Sequence, residues 1–424
     1  MAGGGLVVWW LANRLVERPD RGFVARVAIA SFVLRCGWSF FQHVIYPSAW
    51  RLVAADAMAR YGWGRQEAAL WREGLAQPAL PATLAEAHSR AINLFTTSMI
   101  YVFGESAMLP EAITITLNVT IVIAIYLICR HIGTTRGSAR AAVVFAAFLP
   151  SLMLWSTQNL KDPVTGAAIA WGTLAYMKVG ERAHGGYLLL LVVANFLALV
   201  YRPYVGILFL AGQGLAWAST VKLPQNALGT VTRIAMFAIM TPLVLYIGTQ
   251  EMQHTYGEDF GLEWAVDQYE SFRQSGMARE GHHGSHYAIP LTASTPAQAI
   301  LQLPIRVLLL LLSPIPLFPG STIRLMMYPE MWFMYLYIVP RFVGGFREAW
   351  RKNRLALVTI LLLLAPVIVS YALKTSVSGE AVRMRSQFMA VLLIFAGIGH
   401  GLRSQSAEEP QPAPREVPRL HSAD

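Results

Sequence analysis

The sequence predicts an all-α, polytopic transmembrane helix bundle. Three observations carry this. The 424 residues are 55% hydrophobic and only 14% charged, where a soluble domain carries about 25% charged residues. Apolar segments recur from Phe23 to Leu402, many of them close to the ~20 residues that cross a bilayer. The net charge of +10 is gathered in short loops beside apolar runs, which is the pattern of topology signals. No nucleic-acid partner is expected.

The first element is residues 1–22, containing GGGLVVWWLANRLVERPDRG. It reads as a cytoplasmic interfacial helix. Its apolar patch is short and its arginines follow rather than precede it, unlike a secretory leader. Those arginines place the N-terminus inside. The transmembrane domain then runs over 23–402. Its spans are expected near 23–46, 111–130, 140–157, 163–179, 186–201, 203–219, 232–248, 331–346, 354–373 and 386–402, about ten in all. Parity then puts the basic loops 130–140, 178–186 and 341–354 on the cytoplasmic side.

The segment 299–318, AILQLPIRVLLLLLSPIPLF, breaks the series. A single crossing there would export the basic loop 341–354, against the charge rule. With Pro304, Pro314 and Pro316, it is expected as a proline-broken re-entrant segment packed against protein. The alternative is one ordinary span, with another miscounted. The tail 403–424 is rich in proline and charge and reads as disordered and cytoplasmic. No internal repeat of the kind that marks many transporters stands out.

The external face then collects the chemistry. It holds the first loop 47–110, STQNLKDP, YRPY, the large loop 249–298 and KTSVSGEAVRMR. Asp56 is the candidate general base for a hydroxyl acceptor; a capping or solvated carboxylate is the plainer reading. Lys161 can meet a phosphate and Asp162 can orient it or hold an acceptor. Asp162-Pro163 is also a normal helix start, but that leaves Lys161 and the polar run Ser156–Asn159 without a purpose. Arg202, Arg383 and Arg385 stand at helix mouths, where they either snorkel or grip a phosphate bidentately. Arg35 lies inside the first span and needs a partner or water.

Other motifs exclude classes. His282, His283 and His286 lie in EGHHGSHY without an HExxH pattern, so no metal site is expected. No Walker, GxGxxG or GxSxG motif appears, and ATP-driven transport has no support within the chain. Cys36 and Cys129 lie in expected helices and offer no zinc or disulfide spacing. Asn118 of NVT falls inside a span, where glycosylation does not reach.

The order of DAMARYGWGRQEAALWREG, INLFTTSMIYVFGES, YLICRHIG, AAVVFAAFLPSLMLWSTQNLKDP, YRPYVG and EAVRMRSQFMAVLLIFAGIG resembles the GT-C class of integral-membrane glycosyltransferases. That class includes protein O-mannosyltransferases and the bacterial aminoarabinose lipid A transferase; the chain looks most like bacterial members of family 39 type, or relatives in polysaccharide gene clusters. The resemblance implies a helix bundle with surface helices in the first external loop, in a bacterial inner membrane. It implies a polyprenyl-phosphate sugar donor and a glycan, lipid or protein acceptor, with membrane lipids around. Asp56 would deprotonate the acceptor, and Lys161, Asp162, Arg202, Arg383 and Arg385 would line the donor site. No resident cofactor is implied; a divalent metal is left open. Two other classes stay open: an O-antigen-type polysaccharide polymerase or ligase, and a lipid-linked oligosaccharide transporter.

Overall fold

In lipid, every backbone polar group must be satisfied within its own segment, and leucine-, valine- and alanine-rich runs meet that demand as helices. The computed structural model describes residues 1–48, 55–76, 78, 84–181, 185–220, 295–316, 322–375 and 378–408. Among these, the regular structure is helical throughout. The expected span 232–248, most of the loop 249–298 with its three histidines, and residues 409–424 lie outside the described residues.

The chain begins with α1 (Ala2–Leu15) and α2 (Arg18–Phe40), which continues through a π turn to Ile45. The first loop supplies α3 (Ala55–Arg72) and α4 (Leu84–Phe103). Then come α5 (Met108–His131), α6 (Arg136–Phe148), α7 (Pro150–Ser156), α8 (Lys161–Glu181), α9 (Gly185–Tyr201) and α10 (Pro203–Thr220). After the large loop follow α11 (Pro296–Leu312), α12 (Thr322–Phe333), a π turn, α13 (Val339–Lys352), α14 (Arg354–Lys374) and α15 (Ser378–Glu408).

Among the described residues, four helices are long and apolar enough to cross a membrane: Arg18–Ile45, Met108–His131, Arg354–Lys374 and Ser378–Arg403. The pair α6–α7, bent by 52°, makes a fifth if counted as one span. This marks a membrane protein, but it falls short of the ten spans the apolar runs suggested. Two reasons are physical. Helices α9 and α11 are apolar but only 17 residues each. Helix α8 is almost wholly covered by other helices, so its glycines and threonines need not satisfy lipid.

Helix α15 is the centre of the bundle. Its apolar stretch is 94% buried, against 39% for α2 and 44% for α14. It packs on α6, α8, α11 and α13. The segment FAGIGHG makes these contacts close. A methyl group on Gly399 would sit 1.9 Å from the Arg341 carbonyl oxygen, and one on Gly397 would sit 2.6 Å from that of Ser138. Only glycine lets two helix backbones approach so nearly.

The loops sort to two ends. At one end Asp20 meets Arg140 at 2.6 Å, Glu17 meets Arg130 at 3.2 Å, and Asn353 donates to the Ile132 carbonyl at 3.1 Å. At the other end the first loop, STQNLKDP, YRPY and the start of α15 come together.

Three local features go beyond the sequence reading. Helix α1 is packed into the bundle. Val8 and Ala12 are fully buried, and Gly4 packs against Phe32 and Thr116. Phe32 is 14 residues beyond Arg18, about 21 Å along α2, so α1 runs lengthwise beside α2 and α5. Its apolar side bears Leu6, Val7, Trp9 and Trp10, all exposed, which suits contact with lipid chains. Second, the segment 299–318 is not broken at Pro304. Helix α11 continues through Pro304 to Leu312, and the break comes at Ser313–Pro314. Third, α15 runs on to Glu408, into the segment expected to be disordered, because the first proline of the tail is Pro410.

The bend at Pro150 explains Arg35. Proline cannot donate, and the helix breaks there, freeing the Ala147 carbonyl and the Ser151 N–H. The carbonyl accepts from Ser31 Oγ and Arg35 Nη1, both at 2.9 Å. The Ser151 N–H donates to Glu330 at 2.6 Å. Arg35 Nε also donates to Ser156 Oγ at 2.7 Å. A buried guanidinium is thus a structural brace, not a group facing a cavity.

Candidate functional site

Asp162 is the hub of the polar end. It stands in the first turn of α8 rather than at the N-cap, and its carboxylate is fully buried. Arg202 Nη2, from the turn between α9 and α10, donates to Oδ1 at 2.6 Å. Arg383 Nε, from α15, donates to Oδ2 at 2.8 Å. Gln387, one turn further along α15, donates to Oδ1 at 2.5 Å. The approach of α15 is possible because Gly166, one turn beyond Asp162, lies against the Gln387 backbone.

Arg383 reaches outward as well. Its Nη1 donates to Asp56 Oδ2 at 2.9 Å. Asp56 stays 60% exposed in the first turn of α3, so one arginine bridges an open carboxylate and a buried one. Helix α3 is held there from below. Ala57 packs with Leu160 and Trp155, Gly64 lies against Thr96 and Thr97, and Asn159 donates to Thr96 Oγ1 at 2.7 Å. The Trp155 ring lies under Arg383 at 5.8 Å, within reach of a cation–π contact.

The second hydrogen-bonding side of Arg202 meets the Tyr204 hydroxyl at 2.5 Å. Tyr204 packs edge-on against Tyr371, and Tyr371 donates back to Gln387 Oε1. Helices α8, α10, α14 and α15 are thus tied around one carboxylate.

Charge follows from this geometry. Burial alone would raise the Asp162 pKa, but Arg202 and Arg383 overcome it and leave it near 2. Lys161 is pushed down to about 7, first by burial and then by Arg60 and Arg202. Arg60 is lowered by burial and by Arg383. Four cations therefore feel one another here: Arg60, Lys161, Arg202 and Arg383. Two carboxylates, Asp56 and Asp162, oppose them.

Of the residues singled out from the sequence, Asp56, Lys161, Asp162, Arg202 and Arg383 come together. Arg385 does not. It follows Arg383 by two positions, about 200° around the helix. Its guanidinium is buried against the end of α11, donating to the Leu311 carbonyl at 2.8 Å and to that of Ser313, with Glu330 at 3.9 Å. It braces helix ends and lies off the Asp162 cluster.

Four participants were not singled out. Arg60 is four residues after Asp56 and so shares its helix face. Gln387 stands in the same relation to Arg383. Tyr204 was inside the YRPY turn, and Tyr371 carried no local signal. A neighbouring network was also missed. Glu111 is wholly buried, 2.9 Å from His43 and 2.5 Å from Ser39 Oγ. Gln42 links it to Gln158 at 3.0 Å, and so to the loop that carries Lys161. Among the described residues no three His, Cys, Asp or Glu side chains are placed to hold a metal ion.

No protein-family model, curated protein or solved structure matches the chain. What the fold and site define is a helical membrane protein with a dense, cation-rich polar cluster at one end.

Proposed function

We propose that the chain is a membrane glycosyltransferase. It moves a sugar from a polyprenyl-phosphate-linked donor to a glycan, lipid or protein acceptor at the external face of a bacterial inner membrane. One observation carries the reading: an exposed carboxylate, Asp56, shares an arginine with a buried cluster of cations. A transfer of this kind needs both. Asp56 takes the proton of the acceptor hydroxyl. The acceptor oxygen attacks the anomeric carbon and the bond to the phosphate oxygen breaks. The phosphate leaves with the electron pair, and Arg383, Arg202 and Lys161 offset its growing charge.

The test is transfer from a polyprenyl-phosphate sugar in proteoliposomes. Asp56→Asn keeps the shape and removes the base. Transfer is expected to fall by about 100-fold or more, with donor binding changed by less than about threefold and gel-filtration behaviour unchanged. Full activity in this variant removes Asp56 from the mechanism.

A further inference from the structure

We infer that the end of the bundle opposite Asp162 holds a seat for one anionic phospholipid, its phosphate lodged between the α13–α14 turn and the α5–α6 loop. This goes beyond the proposed transfer and stands whether or not the chain moves a sugar. A cavity of about 80 Å³ opens there. One water needs about 10–15 Å³, so there is room for a headgroup but not for a whole lipid. The wall is divided. Thr134, Lys352 and Asn353 are on its polar side, and Leu357, Ile360 and Phe395 on its apolar side. A pocket of that make-up suits an amphipathic ligand.

Charge selects the ligand. The stretch RFVGGFREAWRKNR, from Arg341 to Arg354, carries five basic side chains and one acid, Glu348. Glu348 pairs with Arg351 at 2.8 Å and Lys352 at 2.7 Å. Those two cations stay 74% and 68% exposed, where an ion pair holds them only weakly, and one acid cannot answer five cations. Elsewhere at this end the balance is closer: Arg130 meets Glu17, and Arg136 and Arg140 meet Asp20. The excess positive charge therefore lies on the α13–α14 turn. Helices α6 and α14 also start at the cavity wall, with Thr135 and Asn353 as their caps, and their N-terminal dipoles add to the attraction.

The neighbouring surface says where the anion comes from. Val343 and Trp350 of α13 are exposed, and Arg354 lies over the Trp350 ring at 4.5 Å. Tryptophan beside arginine belongs at the headgroup level of a membrane. The turn thus meets lipid, and the phosphate arrives attached to its acyl chains.

The experiment counts lipids retained by the detergent-solubilised full chain in native mass spectrometry. Phosphatidylglycerol and phosphatidylcholine with the same acyl chains are supplied in turn. One phosphatidylglycerol is expected to be held at least tenfold more tightly than phosphatidylcholine. Lys352→Gln should cut that preference by roughly fivefold, the share of one cation near an anionic lipid. Ala356→Phe keeps every charge and fills the cavity, which Ala356 lines; it should remove the preference at wild-type helical content. Arg26→Gln changes an exposed arginine that does not line the cavity and should leave the preference intact. Equal retention of the two lipids overturns the inference. A preference that survives both Lys352→Gln and Ala356→Phe overturns the seat, as does one that Arg26→Gln lowers equally, which is the behaviour of a diffuse basic surface. Displacement of the lipid by millimolar inorganic phosphate overturns the lipid as occupant.

Discussion

Asp162→Asn removes one charge and almost no volume, and its cost can be worked from the structure. The carboxylate pKa falls from 3.8 to about 2 on folding. At about 1.36 kcal/mol per unit, that is a net ~2.5 kcal/mol in favour of the folded, ionised form, burial already included. The variant loses this and also leaves Arg202 and Arg383 facing each other without the carboxylate between them. Breaking a buried pair by removing one partner costs about 3–5 kcal/mol. The expected loss at pH 7 is therefore about 3–5 kcal/mol, read by equilibrium unfolding in mixed micelles. The pH dependence gives an independent check. A depressed carboxylate pKa stabilises fully above the unfolded value of 3.8 and loses its effect as pH falls toward 2. Wild type should lose about 2.5 kcal/mol through this group as pH falls from about 5, through the folded value, to about 1, and Asp162→Asn should lack that component. A variant as stable as wild type at pH 7 would refute the account of Asp162 as the hub.

Two further outcomes are expected. Gly399→Ala should destabilise by about 2–3 kcal/mol through overpacking against the Arg341 carbonyl, whereas Gly180→Ala, which meets nothing within 4 Å, should be neutral or gain up to about 1 kcal/mol; thermal unfolding in detergent that ranks them the other way contradicts the close α13–α15 contact. Lys161, with its pKa near 7, is charged below that pH and neutral above it, so anion affinity should fall as pH rises through 7. The same depression makes the unfolded chain hold the proton more tightly, so this residue's share of folding stability should rise between pH 7 and 10.5. Binding of a polyprenyl-phosphate sugar, a phosphodiester that does not titrate in this range, measured from pH 6 to 9 in wild type and in Lys161→Arg isolates the titration of Lys161; identical profiles exclude it.

The helical, membrane-bound character was legible because it depends on composition, which survives any error in boundaries. The site was legible where a charge has no reason to sit in an apolar chain: Asp56, Lys161, Asp162, Arg202 and Arg383. It was illegible where the residue type is unremarkable. Gln387 and Tyr371 are ordinary within apolar helices, and only the arrival of α14 and α15 beside α8 gives Gln387 the Asp162 carboxylate, and Tyr371 the Gln387 amide oxygen, as a partner. Arg385 shows the opposite error, and Arg35, expected to need a partner or water, shows what such a partner is. Each is a buried charge that invites a functional reading, yet each satisfies carbonyls at a helix break or end, at Ala147 and at Leu311 and Ser313. A sequence shows the charge but not the broken ladder that employs it. The number of spans was overread for a related reason: hydropathy does not separate a helix wrapped in protein, such as α8, from one facing lipid.

The triplet Arg383-Met384-Arg385 shows how the core places the site. Helix α15 is pinned on two sides by glycine contacts, Gly397 and Gly401 against α6 and Gly399 against α13. Those contacts fix its rotation. Given that rotation, Arg385 must face α11 and Glu330, and Arg383, about 200° away, must face α8 and α3. A turn of α15 by one residue, about 100°, would take Arg383 off both aspartates and Gln387 off Asp162, leaving Arg202 to hold the buried carboxylate. The position of a cation at the polar mouth therefore depends on close backbone packing at the opposite end of the same helix. Sites held by rigid elements in this way keep charged groups within the small tolerance that anion recognition demands. It follows that a methyl group at Gly399 should act at a distance, weakening binding of the polyprenyl-phosphate sugar as well as stability, while leaving every residue of the mouth chemically unchanged.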